Sequence, residues 1–286
     1  MNHTPIFLLV GQAGSGKDTI ADFMVKNHNA IKIAQADPMK ALAMNLFRFT
    51  EEQLWGPSEM RNTPDSTFNY DRINKALDEI NSWSTGRWIK TVLPEADVDE
   101  IRTTLAQWVL HVKMHTLDLD KPVTPRFVLQ TMGTEWGRNL SRDMWTNAAL
   151  RIAFDLLAGN SRYDRNTAEL VADPSFKGPD LVVITDGRFR NEIVNVLRSG
   201  GQVVRIDSPN SDGTNTEKAG VKGHQSEAEQ KGLPVHFFTG FILNDKSKGL
   251  RAAESYTTQL VQGLTNGSRT TAGYPQHEAR HWGVTV

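Results

Sequence analysis

The chain has 286 residues, 32 Lys and Arg against 33 Asp and Glu, a net charge of -1 and no cysteine. That balance speaks against a protein that grips duplex DNA or an anionic membrane through a basic surface, so no nucleic-acid partner is expected. Without cysteine there is no disulfide framework and no thiolate zinc site, which fits a reducing compartment. No run of about 18 apolar residues is present, so no membrane span is expected. Met1–Val10 has neither a basic leader nor a cleavage-site pattern and does not read as a signal peptide.

In chain order, Ile6–Val10 is apolar at every position, as in a buried central strand of a parallel sheet. A glycine-rich loop follows, and Lys17–Asn29 then carries Ile20, Phe23 and Met24 at helical spacing. Ala30–Ala34 is a second strand, and Asp37-Pro38 opens a helix to about Phe47. Thr50–Pro125 shows little strand signal and reads as a mostly helical insertion. Within it Val98–His115 puts Ile101, Leu105, Trp108, Val109 and Val112 on one face. Arg126–Leu140 and Arg142–Leu157 read as two further helices. The sheet pattern resumes with Asp180–Thr185, the helix Asn191–Ser199, the strand Gln202–Ile206, the polar loop Ser208–Gly223, the short helix Gln225–Lys231, the strand Phe237–Leu243 and the helix Leu250–Leu264. Residues 267–286 are polar and aperiodic and read as a tail. Five strands alternating with helices predict an α/β fold with a parallel sheet. Ligands of such sheets bind at the carboxyl ends of the strands, where both Gly11–Lys17 and Asp186–Arg188 fall.

Gly11-Gln12-Ala13-Gly14-Ser15-Gly16-Lys17 fits the pattern G-x-x-x-x-G-K between a strand and a helix. Its backbone N–H groups can curl round a phosphate while the helix N-terminus adds partial positive charge. The expected ATP-binding residues are Gly11, Ala13, Gly14, Ser15, Gly16, Lys17, Asp18 and Thr19. Asp18 stands where a hydroxyl usually holds magnesium, so the ion would be held through water or with the help of Thr19.

Other polar groups recur near strand ends and on helices. Asp37 either contacts an acceptor or caps its helix. Trp55 and Met60 offer apolar surface, Glu59 an acceptor and Arg61 a phosphate clamp, against the alternative of a plain surface turn. Arg126, Gln130, Thr134, Arg138 and Arg142 stand four residues apart. A continuous helix would set them on one side, either as an anion-binding side or as solvated charge, with Trp136 and Trp145 in the core. Asp186 is placed to hold magnesium or accept a proton from the acceptor, against the alternative of a plain helix cap, and Arg188 to stabilise phosphoryl charge. Ser208–Gly223 reads as a lid.

In their order, Ser15–Thr19, Ala36–Lys40, Leu129–Glu135, Arg142–Trp145, Thr185–Glu192 and Leu243–Asp245 give a chain that resembles the deoxynucleoside monophosphate kinases of large DNA bacteriophages. The resemblance implies a P-loop NMP-kinase-like, three-layer fold with a five-stranded parallel sheet. It implies a core at about 1–36 and 178–266, an acceptor-binding helical insertion at about 37–160, a lid at about 208–224 and a tail at 267–286. It implies phosphoryl transfer from ATP, with Mg²⁺, to a deoxynucleoside 5′-monophosphate, in the cytoplasm of a host cell if the gene is a phage's. Lys17, Asp18, Asp186, Arg188 and Arg138 would be catalytic, with Asp18 and Asp186 holding the magnesium partly through water. Asn244 and Asp245 would complete the ATP site. Asp37, Lys40, Glu59, Arg61, Gln130, Arg138, Arg142 and Trp145 would bind the acceptor. The partners would be small nucleotides, and a homodimer is compatible with the sequence. The stretch at about 62–125 has no counterpart in the resemblance, so the base preferred stays open. Two rivals stay open beside this reading: a kinase of the same build acting on dephospho-coenzyme A or phosphomevalonate, and a nucleotide-dependent switch or binding protein.

Overall fold

The computed structural model describes residues 3–209 and 232–275. In chain order the strands are β1 (Ile6–Val10), β2 (Ala30–Ile33), β3 (Ser161–Asp164), β4 (Glu169–Ala172), β5 (Leu181–Gly187), β6 (Gln202–Asp207), β7 (Gly240–Leu243) and β8 (Thr270–Ala272). The helices are α1 (Lys17–Asn27), α2 (Asp37–Phe47), α3 (Glu51–Trp55), α4 (Ser58–Asn62), α5 (Tyr70–Ile80), α6 (Trp83–Val92), α7 (Val98–His115), α8 (Pro125–Gln130), α9 (Arg138–Leu140), α10 (Met144–Ala158), α11 (Arg190–Arg198) and α12 (Gly249–Thr265). Two compact units result. The first comprises the described residues of Met1–Ala34, Ala149–Asn160 and Pro174–Val286, and the second Gln35–Ala148 with Ser161–Asp173. Most of the Ser208–Gly223 loop, the Gln225–Lys231 helix and the end of the tail lie outside the described residues.

The first unit is built on a parallel sheet in the order β2-β5-β1-β6-β7-β8. Every residue of β1 is buried, as an all-apolar strand paired on both sides requires. Phe7, Leu9, Val183, Val204 and Ile242 pack with Ile20 and Met24 of α1 and Leu260 and Leu264 of α12. Each such side chain, fully buried, contributes roughly 1.5–3 kcal/mol. Gly240 lets α12 close on the sheet, because a Cβ there would stand 2.8 Å from Leu260 Cδ1.

Among the described residues the sheet has six strands, not five. The sixth, β8, comes from residues read as tail: Thr270 and Thr271 pair with Gly240 and Phe241. Thr-Thr-Ala carries no apolar run, so only the open edge of β7 makes it a strand. One irregularity sits where the site will lie. Leu8 pairs with Ile184 but Val10 with Gly187, so β5 holds one extra residue around Thr185-Asp186. A bulge bends a strand end and re-aims the residues that follow.

The second unit is helical around an aromatic core. Its caps are local: Thr50 accepts from Gln53 N, Asn69 from Arg72 N, Ser82 from Thr85 N, and Asp97 from Asp99 N and Glu100 N. The buried face of α7 is Ile101, Leu105, Trp108, Val109 and Val112, as its periodicity predicts. Indole N–H groups that enter this core each find an acceptor: Trp88 donates to Pro38 O, Trp108 to Thr131 Oγ1, Trp136 to Thr104 Oγ1 and Trp145 to Gly133 O. The segment read as one helix from Arg126 to Leu140 is interrupted by a π-helix over Thr131–Gly137. Its wider turn changes the angular step, and Arg142 lies past the helix end, after an extended Ser141 (φ -155°, ψ 119°). The four-residue spacing of the arginines therefore does not run along one continuous helix. A further element had no sequence signal. This is the antiparallel hairpin β3–β4, held by Ala168, wholly buried in the aromatic core, and by Arg87 Nε, 2.7 Å from Glu169 Oε1.

Asp65 ties this unit together. Burial would raise its carboxyl, but hydrogen bonds from Thr67, Arg72 and Gln53 outweigh that and hold it at about 2. The Arg72 guanidinium lies 2.6 Å away and stacks on Phe49 and Phe68. A carboxyl depressed from 3.8 to about 2 adds stability above its unfolded value, lost as pH falls through the folded one. Asp65→Asn should cost about 2 kcal/mol at pH 7. In denaturant unfolding, its deficit against wild type should shrink as pH falls from 4 toward 2; a pH-independent deficit would contradict this account.

Candidate functional site

In the first unit the glycine-rich loop runs from the end of β1 to the start of α1. Its shape needs glycine at three points. Gly14 and Gly16 have φ +78° and +91°. A Cβ on Gly11 would meet the Ile206 carbonyl oxygen of β6 at 2.4 Å, and one on Gly16 would meet Asn244 Nδ2 at 2.1 Å. Asn244 is buried at the end of β7 and donates from Nδ2 to Ser15 O (2.9 Å), while its own N–H bonds Asp207 O. Its amide thus braces the loop. Asp245 caps the next turn through Ser247 N and Oγ, which holds its carboxyl low. The Ser15 hydroxyl is buried and has no hydrogen-bond partner among the described residues.

Lys17 opens α1, and its ammonium donates to Gly11 O (2.6 Å) and Gln12 O (2.9 Å). Burial, and then the neighbouring Arg188 guanidinium, lower its pKa to about 8 against the opposing pull of Asp18 and Asp186. Residues far apart in sequence therefore share one electrostatic site: Lys17 and Asp18 after β1, Asp186 in the β5 bulge and Arg188 just past it. Thr19 is half-buried on α1 and Ala13 exposed at the loop's tip. Sequence reasoning gave Glu192 no role of its own. Its buried carboxylate accepts from Arg188 N (2.7 Å) and Phe189 N (3.0 Å), which fixes the turn that carries Arg188. The signal was an acid three residues into a helix, the capping-box position.

In the second unit, Asp37 is not the cap of α2. The N-cap is Ala36, and the buried Asp37 carboxylate accepts Trp55 Nε1–H at 2.8 Å. The Lys40 ammonium lies 5.5 Å from the centre of the Trp55 ring. Arg61 is turned onto its own loop, donating to Leu54 O, Gly56 O and Ser58 Oγ, and Glu59 is exposed. Trp145 belongs to the core, where it fills the space above Gly137, whose Cβ would stand 2.4 Å from the indole. Gln130 ends α8 and Arg138 begins α9, both half-buried, with Arg142 exposed beyond them.

No protein-family model matches the chain. In sequence it is similar to a protein of Acanthamoeba polyphaga mimivirus named "Putative deoxynucleotide monophosphate kinase". The two are 24% identical over 262 residues, covering 91% of this chain and 96% of that protein. The similarity thus spans both units rather than the loop alone.

Among the described residues no group of three or more His, Cys, Asp or Glu could hold a metal ion alone, and no helix is long and apolar enough to cross a membrane. The donor set near Lys17, two carboxylates, suits magnesium, which takes one or two carboxylates and completes its shell with water and substrate phosphates.

The two positive-φ glycines separate strain from contact. Gly14→Ala meets nothing within 4 Å and should cost about 1–2 kcal/mol of backbone strain. Gly16→Ala adds a collision with Asn244 and should cost clearly more in denaturant unfolding; equal losses would show that Asn244 does not brace the loop.

Proposed function

We propose that the chain is a nucleotide kinase that transfers the γ-phosphoryl group of ATP to a deoxynucleoside 5′-monophosphate. The observation that carries the reading is the glycine-rich loop with Lys17 bound to its carbonyls at the start of α1. The similarity across 91% of the chain to a protein named for this activity supports the acceptor class.

On this reading the loop N–H groups and Lys17 take the β- and γ-phosphates, and the Lys17 ammonium leaves the Gly11 and Gln12 carbonyls for phosphate oxygens. Arg188, held by Glu192, stabilises the charge that spreads over the transferred group. Asp18 and Asp186 would hold magnesium, which supplies charge neutralisation on the phosphates when bound. Lys40, Gln130, Arg138 and Arg142 are assigned to the acceptor, with Asp37 and Trp145 as the framework that positions them. An oxygen of the acceptor's 5′-phosphate bonds to the γ-phosphorus as the bond to the β-phosphate oxygen breaks, and ADP leaves. That oxygen is already ionised near pH 7, so no strong general base is needed, and positioning supplies most of the rate.

A coupled ADP-release assay with Mg-ATP against a panel of dNMPs and NMPs tests this. Turnover on at least one dNMP, reduced at least ~100-fold in Lys17→Ala, is the expected result; acceptor-independent ATP hydrolysis alone would sink it. A second prediction follows from the lowered ammonium pKa of about 8. Phosphates raise that value, so the wild type should take up about half a proton per ATP bound at pH 8 and Lys17→Ala none. Calorimetry in buffers of different ionisation enthalpy reads the difference. ATP affinity should fall as pH rises above 8, where the free protein has lost the charge.

A further inference from the structure

The β3–β4 hairpin brings a second cation to Trp55. Arg165, in its turn, places its guanidinium 5.4 Å from the centre of the Trp55 ring, against 5.5 Å for the Lys40 ammonium. The indole cannot swing away, because its Nε1–H is fixed on the buried Asp37. One immobilised ring thus collects two like charges from parts of the chain 125 residues apart. Cations so gathered suit a multiply charged anion better than a neutral base, and an arginine fork suits a phosphate.

Fastening the hairpin does not require Arg165. Its ion pair with Glu51 joins two half-exposed side chains (51% and 53%), an arrangement that adds little stability. The hairpin is anchored elsewhere, by the buried Ala168 and the Arg87–Glu169 pair. Its turn also carries unfavourable features. Ala168 has φ +61°, and Asn166 Oδ1 is buried without a hydrogen-bond partner among the described residues. Such features are enriched at functional sites.

We infer that Arg165 is a further acceptor-binding residue that, with Lys40, takes the 5′-phosphate of the monophosphate, and that Glu51 pairs with the guanidinium until the phosphate displaces it. This rests on the kinase reading for the identity of the ligand. Its test is equilibrium binding of a dNMP, and of the matching uncharged deoxynucleoside, to the ATP-free protein, followed by steady-state kinetics. Arg165→Ala should weaken dNMP binding and raise the acceptor KM about tenfold or more, leaving deoxynucleoside binding and the ATP KM unchanged. Arg165→Lys should fall between, keeping charge without the fork. Glu51→Gln should bind dNMP at least as tightly as wild type, whereas a purely structural ion pair would make Glu51→Gln and Arg165→Ala lose thermal stability alike with no change in dNMP affinity. Wild-type protein that binds no dNMP, or an Arg165→Ala affinity within about twofold of wild type, overturns the inference. Wild type that binds dNMP through Arg165 but shows no turnover sinks the kinase reading alone.

Discussion

The charge of one half-buried ammonium is set by the groups around the first unit's polar edge. Lys17 is drawn toward neutrality by burial and by Arg188, and toward charge by Asp18 and Asp186, so it rests at about 8. That poise links four residues on two strand ends. The carbonyls of Gly11 and Gln12 accept two of its hydrogen bonds, which in turn demands the tight loop that only glycine allows at positions 11, 14 and 16. Asn244 then locks the loop from the far side through Ser15 O. The loop and the β5 bulge carry the groups that set this charge, and the β7 end braces the loop.

The second unit solves a different problem, the placing of polar groups on a framework of aromatic rings. Trp55 is held by Asp37, Trp145 by Gly133 O, and Trp108 and Trp136 by threonine hydroxyls. An indole so fixed keeps one orientation, and cations laid on it inherit that rigidity. The π-helix at Thr131–Gly137 belongs to the same design. Gly133 makes room for Met39, whose Sδ would lie 2.9 Å from an added Cβ, and Gly137 for Trp145. Close packing against glycine thus replaces the regular helix that the arginine spacing suggested.

Local chemistry was legible in the chain. Ile6–Val10 is a central strand because every residue is apolar, Gly11–Lys17 a loop because glycines and a lysine stand at fixed offsets, and α7 amphipathic because its large apolar residues recur every three or four positions. Each is decided by neighbours within a few residues, so the amino-acid sequence by itself determined them. Tertiary structure alone decided the rest. Thr270–Ala272 is a strand only because β7 leaves an edge open to it. Asp37 binds Trp55 instead of capping its own helix because an indole N–H comes within 2.8 Å of it in the core. Asn244 braces a loop 229 positions away, and Arg165 reaches Trp55 from a hairpin whose polar residues carry no strand pattern. The physical reason is common to all four: a hydrogen bond or ion contact is chosen by which groups share a volume after folding, and sequence spacing carries no record of that once the partners lie on different elements.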